Sequence, residues 1–270
     1  MVHKSAVLLL ALLLAFGSAA AGTVTLEGTC IAGTVNSTNF TFRISNVGND
    51  TAYQLILSPA IYGAQPKNAT YTIGSLGPGA TYNMSVVAGN VMEPGTHGVY
   101  FNAAYQQGQT IFTTIFPCLV PLIRQTSSQL ILTTNASLQS DGTGVVSTAV
   151  HNAGPTAIAA NVSIALPPGF TYSGPGSYEV PLAPFANGNV TFHVGFPAQY
   201  SASYVASTFA SYSSGSLLYT TFSPFLIATA AASASSQLSY TLVLYVVAGA
   251  AVLAVAVLIL LSVVRKRKRA

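Results

Sequence analysis

Apolar and polar side chains alternate with a period of two along much of the chain. Residues 39–44 read NFTFRI and residues 189–194 read NVTFHV, so every second side chain is apolar. This alternation is typical of a β-strand with one buried face. Runs of this kind, separated by turn residues, predict strands in the first half of the chain near 23–31, 38–46, 52–58, 69–73, 80–88, 98–106 and 109–116.

The pattern occurs twice along the chain. NVG at 46–48 corresponds to NAG at 152–154, at an offset of 106 residues, and later matches continue at an offset of 107, as from Tyr105 to Tyr212. A fixed offset of this size predicts a duplicated domain of about 100 residues. Seven short strands in each copy predict an all-β fold of two tandem immunoglobulin-like antiparallel β-sandwiches.

The domain boundaries follow from the positions of proline and of polar runs. We predict β-sandwich domain 1 at 22–122, a hinge at 123–127 and β-sandwich domain 2 at 128–227. Pro117, Pro121 and the polar run 125–128 mark the hinge. An Ala/Ser-rich stalk follows at 228–240, for which both a helical and a disordered state stay open.

Both ends of the chain carry membrane-targeting patterns. Lys4, the apolar run 6–16 and the small residues 17–21 predict a signal peptide at 1–21. Residues 242–264 contain no charge, which predicts one C-terminal transmembrane helix at 241–264. The basic segment 265–270 follows directly, and such cations favour the cytoplasmic side. We therefore expect a single-pass protein of the cell membrane, partnered by the lipid bilayer, with an extracellular N-terminal ectodomain and a cytoplasmic C-terminus.

The formal charge of +4 comes from the ends of the chain. Residues 22–240 contain three cations and five anions, a net charge of −2. A charge this low excludes a basic nucleic-acid footprint, so no nucleic-acid partner is expected. It also leaves few ionic groups to hydrate the surface of a folded domain.

Eight N-x-S/T sequons supply a different source of polarity. Their acceptors are Asn36, Asn39, Asn49, Asn68, Asn83, Asn135, Asn161 and Asn189. In a secreted chain such asparagines indicate exposed N-glycosylation, while asparagine and threonine also simply suit turns and strands. We expect most of these eight sites to carry N-glycans, and Asn39, Asn83 and Asn189 to lie on the polar faces of their strands.

Cys30 and Cys118 are the two cysteines of the chain. An even count in an extracellular setting favours a disulfide, and the alternative is two separate buried thiols. Cys30 lies near the end of the first predicted strand and Cys118 just past the last strand of the first copy. We predict that the bridge joins the two ends of domain 1.

No residue pattern indicates catalysis. His97, His151 and His193 are widely spaced, and none belongs to a cluster with metal-ligand spacing. The sequence contains no nucleophile turn and no phosphate-binding loop after a strand. We therefore expect no enzymatic activity, no cofactor and no metal. Six tyrosines cluster near the last strands of each copy, and we expect them to pack in the sandwiches more than to form an open binding face. They are Tyr100, Tyr105, Tyr200, Tyr204, Tyr212 and Tyr219.

The turn-forming segments of both copies resemble the cell-adhesion-related and S-layer-associated β-sandwich repeats of archaeal and bacterial envelope proteins. The segments are ISNVGNDTA at 44–52, LGPG at 76–79, PGTHGVY at 94–100, VHNAGPTA at 150–157 and LAP at 182–184. Copy two departs from the pattern at Phe185, which replaces the usual glycine, and at PAQY, 197–200, where Pro-Gly-x-Tyr is usual. The resemblance implies a fold and a surface setting, and the dense sequons favour an archaeal-like protein.

Together these features predict a membrane-anchored, glycosylated cell-surface structural or adhesion protein. Its partners would be envelope or surface proteins. The alternative is an accessory subunit of a membrane-embedded secretion, pilus or transport complex, which would bind its partner through the span or domain 2. The sequence does not separate these two hypotheses.

Overall fold

The computed structural model describes residues 22–34, 36–91, 93–138, 143–196 and 204–227. The predicted signal peptide, stalk, transmembrane helix and basic tail lie outside the described residues. Within the described part, no helix is long and apolar enough to cross a membrane.

The described residues form sixteen strands, eight in each half of the chain. In the first half they are β1 (Leu26–Ala32), β2 (Asn39–Asn46), β3 (Ala52–Ile61), β4 (Gln65–Pro66), β5 (Tyr71–Leu76), β6 (Thr81–Gly89), β7 (Gly95–Gln107) and β8 (Thr110–Leu122). In the second half they are β9 (Leu130–Leu138), β10 (Thr143–Asn152), β11 (Ile158–Ala165), β12 (Thr171–Tyr172), β13 (Ser177–Leu182), β14 (Asn187–Gly195), β15 (Tyr204–Ser214) and β16 (Leu217–Ile227). The all-β prediction is confirmed, and the two-residue strands β4 and β12 are additions to it.

Each half forms two facing antiparallel sheets. In the first half these sheets have the strand orders β1-β2-β6-β4 and β5-β3-β7-β8. In the second half the orders are β9-β10-β14-β12 and β13-β11-β15-β16. Short strands paired in this order form an immunoglobulin-like β-sandwich. The same topology in both halves agrees with the internal duplication in the sequence.

Each sandwich has its own hydrophobic core between its two sheets. In the first core Phe42 stacks on Phe101 with 3.8 Å between ring centroids, and Phe40 contacts Phe101 edge-on at 6.3 Å. In the second core Phe192 packs edge-on against Tyr178 at 5.4 Å. Burial of one large apolar side chain contributes about 1.5–3 kcal/mol, so the alternating segments of the sequence supply most of the driving force for folding.

The predicted disulfide between Cys30 and Cys118 is confirmed, and it joins β1 to β8. The two Cα atoms are 6.0 Å apart, and the cysteines are separated by 88 residues along the chain. The bridge therefore closes almost the whole first sandwich. Closing a loop of this length contributes about 4–5 kcal/mol in the chain-entropy description.

A buried asparagine ends β2 and organises the turn that follows it. Asn46 is fully buried, and its Nδ2 donates hydrogen bonds to the carbonyl oxygens of Asp50 and Leu76 at 2.7 and 2.9 Å. Its Oδ1 accepts a hydrogen bond from the N–H of Gly48 at 3.1 Å. The side chain thus forms hydrogen bonds with main-chain groups that would otherwise be buried without partners. Each such unsatisfied group would cost about 1–3 kcal/mol of stability.

The second sandwich repeats this arrangement at Asn152, which is also fully buried. Its Nδ2 donates to the carbonyl oxygens of Thr156 and Ala183 at 2.8 and 3.0 Å. Its Oδ1 accepts from the N–H of Gly154 at 3.0 Å. The Asn-x-Gly repeat found in the sequence therefore corresponds to a side chain that fixes two turns at once, and the glycine provides an N–H donor.

The two copies differ at one strained turn position. Gly79 has a φ of 71°, and Phe185, which lies 106 residues later, has a φ of 56°. A left-handed conformation costs a residue with a β-carbon about 1–2 kcal/mol, whereas glycine adopts it freely. Phe185 is 63% exposed, so its ring gains little burial in return. The departure from the Pro-Gly pattern thus leaves local strain in the second sandwich.

Because of this strain, we expect glycine to be more stabilising than alanine at position 185. At ordinary positions alanine is more stabilising than glycine, but Phe185→Gly should be more stable than Phe185→Ala by about 1 kcal/mol because only glycine relieves the left-handed conformation. Chemical denaturation of the two variants measures this difference. Both variants remove the same ring, so their comparison isolates the β-carbon, and an equally or more stable Phe185→Ala would contradict the assignment of strain.

Candidate functional site at the domain junction

The two sandwiches are joined through their main chains where β16 meets the start of β7. Leu218 pairs with Gly95 in parallel orientation, and the Leu218 N–H donates to the carbonyl oxygen of Pro94 at 2.9 Å. This pairing connects the sheet that contains β7 to the sheet that contains β16, so one sheet of eight strands crosses the domain boundary. The sandwiches consequently share hydrogen-bonded backbone in addition to side-chain contacts.

Thr126, in the segment between the domains, completes the hydrogen bonding at this point. Its Oγ1 donates to the carbonyl oxygen of Leu218 at 2.6 Å and accepts from the N–H of Thr96 at 2.8 Å. The Oγ1 of Thr96 donates to the carbonyl oxygen of Thr126 at 2.6 Å and accepts from its N–H at 3.0 Å. Both hydroxyls therefore donate and accept, and the segment is bonded to both domains.

Two glycines of β7 allow the second sandwich to approach this closely. A β-carbon on Gly95 would overlap the carbonyl oxygen of Leu218 and lie 2.7 Å from its nitrogen. A β-carbon on Gly98 would lie 2.5 Å from the ring of Phe209 in the second sandwich. Glycine inside a strand is typical of a place where another backbone or ring comes near. The PGTHG segment, which the sequence indicated only as a turn, thus forms the docking surface for the second domain.

An aromatic cluster fills the rest of the junction. The ring centroid of Phe209 lies 4.8 Å from that of Tyr62 and 6.2 Å from that of Tyr100, both in the first sandwich. Phe222 of β16 stacks beside Phe209 at 5.8 Å. Ile115, Ala165 and Val205 complete the cluster. Aromatic pairs contribute about 0.5–1.5 kcal/mol beyond the burial of their surface, so the cluster holds the domains together without charge.

Burial at this junction changes the chemistry of its tyrosines. Loss of hydration raises the pKa of Tyr62 well above its ordinary value, although a hydrogen bond with Ser163 opposes the increase. Burial also raises the pKa of Tyr100. Both phenols therefore stay neutral to a higher pH than an exposed tyrosine does.

His97 lies under the junction and is fully buried. Its Nδ1 is 2.7 Å from the carbonyl oxygen of Tyr62, and its Nε2 is 3.0 Å from the carbonyl oxygen of Glu93. The ring thereby connects the residues that follow β3 with those that precede β7. This position gives His97 a structural role, whereas His193 is exposed on the outer side of β14.

The chain leaves the first sandwich through a tight turn after β8. The φ of Ile123 is 64°, a strained value for a β-branched residue. The N–H of Arg124 donates to the carbonyl oxygen of Leu122 at 2.7 Å, and the N–H of Ile123 donates to that of Ser37 at 3.0 Å. Segment 123–127, predicted as a hinge, is therefore hydrogen-bonded at several points.

The two prolines that marked this hinge in the sequence lie inside β8. Pro117 pairs with Tyr100 and Pro121 with Thr96. β8 is paired on one side only, by β7. Proline is tolerated in such edge strands because its missing N–H is not needed on the open side. Their presence thus indicates a strand edge as well as an approaching domain boundary.

A cavity of about 650 Å³ opens beside the junction. Its lining includes Asn36, Pro94, Arg124 and Leu217, so it lies between the first sandwich, the connecting segment and the β15–β16 hairpin. Among the described residues, no group of three or more His, Cys, Asp and Glu side chains is placed to hold a metal ion. The arrangement at the junction suits packing and hydrogen bonding, and we assign it no catalytic step.

The eight sequon asparagines are all exposed. Asn39 and Asn83 lie on neighbouring strands of one sheet, and Asn189 lies on the outer side of β14. A buried residue follows each of the three. Asn83 accepts a hydrogen bond from Arg43 through Oδ1 at 3.0 Å. Asn49 accepts one from the N–H of Thr23 through Oδ1 at 2.7 Å. Both bonds use the amide oxygen, whereas a glycan would be attached to the amide nitrogen.

The tyrosines of the last strands pack against other rings in the described part of the chain. Tyr212 stacks on Tyr219 at 4.9 Å, and Tyr105 stacks on Phe112 at 5.5 Å. Tyr204 contacts Phe170 edge-on at 5.0 Å. Tyr200 lies outside the described residues. The packing interpretation therefore fits the tyrosines whose positions are described.

The chain was compared with known protein families, sequences and solved structures. No protein-family model and no curated protein sequence matches the chain. The CupB2 chaperone of Pseudomonas aeruginosa is 13% identical over 73% of this chain and 98% of its own, with a TM-score of 0.31. The CsuC–CsuE chaperone–tip adhesion subunit complex of Acinetobacter baumannii is 9% identical over 76% and 97%, with a TM-score of 0.30. Escherichia coli alpha-2-macroglobulin is 11% identical over 76% and 22%, with a TM-score of 0.27.

The close contact at the junction leads us to expect a large loss of stability from a single added methyl group at Gly95. Gly95→Ala should lower the free energy of unfolding by about 1–3 kcal/mol, because its β-carbon collides with the backbone of Leu218. Hydrogen exchange should accelerate at the N–H of Leu218, which bonds to Pro94 across the junction. Gly74→Ala is the matched control because Gly74 also lies in a strand at a positive φ, while its β-carbon would meet nothing within 4 Å. Equal stability of the two variants would contradict this account of the junction.

Because the pKa of Tyr62 is raised by burial, we expect the protein to lose stability at alkaline pH. Its pKa is raised in the folded state, so its contribution is complete below the unfolded-state value of about 10 and is lost as the pH rises above it. Tyr62→Phe should weaken this alkaline decline, at a cost near pH 7 of about 0.5–1.5 kcal/mol for the bond with Ser163. Denaturation between about pH 8 and 12 measures both effects. Tyr53→Phe, at a half-exposed position, is the control, and an unchanged pH profile for Tyr62→Phe would refute the prediction.

Proposed function

We propose that this chain is a membrane-anchored, glycosylated cell-surface protein with a structural or adhesive role. It presents two coupled β-sandwiches outside the cell, held by the predicted C-terminal span. The observation that carries the proposal is the exposure of all eight sequon asparagines. Exposure leaves each acceptor accessible without disturbance of either hydrophobic core.

The charge of the ectodomain supports the same function. A surface with three cations and five anions in residues 22–240 needs another source of hydration. N-glycans would supply many hydroxyl groups without adding charge, and the exposure of the acceptors on β2, β6 and β14 supports this role. Such a surface suits a protein that stands permanently outside the cell.

The junction supports a mechanical role for the pair of domains. Main-chain bonds, the Thr96–Thr126 hydrogen bonds and the aromatic cluster all resist separation of the sandwiches. A coupled pair transmits force and keeps a fixed spacing, whereas two domains on a flexible linker do neither. In this proposal binding to envelope or surface proteins occurs through outer faces and requires no catalytic residue.

Glycopeptide mass spectrometry on the full chain from the membrane fraction of its native cells tests the proposal. Chymotrypsin is the appropriate protease because Arg43, Lys67 and Arg124 leave trypsin few sites between residues 22 and 227. We expect sugars at most of the eight acceptors, and digestion of residues 22–227 by protease added to intact cells. Absence of sugar from every acceptor, or protection of these residues in intact cells, would overturn the proposal.

Cross-linking on intact cells distinguishes this role from that of an accessory subunit. Lys67 is the one lysine in residues 22–240, while the tail contains two, so an amine-specific reagent would favour the tail. A photoreactive amino acid at the exposed positions Tyr53 and Ile111 avoids this bias. Links to abundant surface proteins support the structural role. Links from Leu226 and the tail to one or two integral membrane proteins, without links from Tyr53 and Ile111, would replace it with the accessory-subunit role.

A further inference from the structure

A second, smaller crevice lies between the two sandwiches on the same junction. It has a volume of about 290 Å³, close to the lower end of the range of about 300–1,000 Å³ found for small-molecule pockets. Tyr62 and Gly63 contribute from the first sandwich, and Asn161, Ser163 and Ser211 contribute from the second. Hydroxyl and amide groups therefore border a gap in an otherwise aromatic junction.

Asn161 is a sequon acceptor at the rim of this crevice. It lies on β11, where it pairs with Ser211 of β15 and Glu179 of β13. Its side chain is exposed, whereas Ser163, the hydroxyl residue of the same sequon, is buried and hydrogen-bonded to Tyr62. A sugar attached to Asn161 would thus begin beside the contact between the domains.

The distribution of the other strand-borne acceptors makes this position distinct. Asn39, Asn83, Asn135 and Asn189 lie on the two sheets that do not cross the domain boundary. Asn161 is the sequon acceptor within the described strands of the sheet that crosses the boundary. A glycan on Asn161 would begin beside the junction, whereas glycans on the other four asparagines would begin on sheets that do not cross the boundary.

The chemistry of the crevice fits a sugar ring. Sugars present hydroxyl groups around an edge and C–H groups on a face, so they bind where hydrogen-bonding groups lie next to apolar ones. Ser163, Ser177 and Ser211 supply hydroxyls, while Tyr62 and Leu218 supply a ring and an aliphatic side chain. The crevice thus offers both kinds of contact within reach of the Asn161 side chain.

We propose that the first sugar of an N-glycan on Asn161 occupies this crevice and fastens the two sandwiches together. The inference rests on the proposed function, because it requires that the chain be glycosylated. The sugar fills a polar gap that side chains leave open, and its hydrogen bonds to both sandwiches restrict their relative motion. The glycan therefore acts as part of the junction, in addition to hydrating the surface.

The test compares Asn161→Gln with Asn189→Gln in the full chain, expressed in a secretory host that attaches N-glycans. Asn189 is the matched control because it is an exposed strand acceptor of the same sandwich on the opposite sheet. The amide of Leu218, which donates to the carbonyl oxygen of Pro94 across the junction, reports on the contact between the sandwiches. We expect hydrogen exchange at this amide to accelerate about tenfold in Asn161→Gln and to stay unchanged in Asn189→Gln.

A third sample, in which an endoglycosidase has trimmed each glycan to its first sugar, should exchange like the untreated protein. Acceleration after trimming would show that outer sugars are responsible and would overturn the proposal. Equal exchange in Asn161→Gln and the untreated protein, or absence of sugar at Asn161 while other acceptors are occupied, would also overturn it. Both of these results leave the proposed function intact, whereas absence of sugar at all eight acceptors overturns the two proposals together.

Discussion

The close approach of the Gly95 and Leu218 main chains is the constraint on which the arrangement of the two sandwiches depends. It places β16 beside the start of β7 and makes one sheet out of parts of two domains. The hydroxyl of Thr126 reaches the Leu218 carbonyl oxygen, and Phe209 reaches the space above Gly98, because the backbones already meet there. Without this contact, each sandwich still has a complete core, so the constraint acts on the pair and not on either fold.

The low charge of residues 22–240 explains the kind of contact found at the junction. Surface ion pairs contribute about 0–1 kcal/mol and are screened by salt, so they would couple the domains weakly even if more charges were present. Hydrogen bonds to buried main-chain groups and packed aromatic rings are much less sensitive to salt. One carboxylate does take part, since the Ser213 hydroxyl donates to Oε2 of Glu93 across the junction. The main-chain and aromatic contacts nevertheless keep their strength when the ionic strength varies.

Local features of the fold could be read from the sequence because each depends on neighbours along the chain. The period of two located the strands around Phe42 and Phe192, and the Asn-x-Gly repeat located the turns at Asn46 and Asn152. The domain junction could not be derived in this way, since Phe209 and Tyr62 come together only after both sandwiches have formed. Only Gly95 and Gly98 give a sequence signal for the junction. Glycine in a strand indicates that another part of the molecule comes close to its backbone. The conformation of Phe185 could not be predicted either. The sequence shows that the usual glycine is missing, but it does not show that the turn keeps its positive φ without glycine.

The placement of the acceptors follows from the same junction. A glycan attached to the middle of the boundary-crossing sheet would occupy the volume in which Tyr62, Tyr100 and Phe209 pack, so an acceptor there is incompatible with coupled domains. The two sheets that do not cross the boundary, β1-β2-β6-β4 and β9-β10-β14-β12, have no such conflict. Four of the acceptors that lie on strands are found there. Asn161 is the informative exception, because it lies on the crossing sheet but at the rim of the cluster, beside a crevice with room for a sugar ring. Its position is therefore explained more simply if the sugar belongs to the junction than if it only covers the surface.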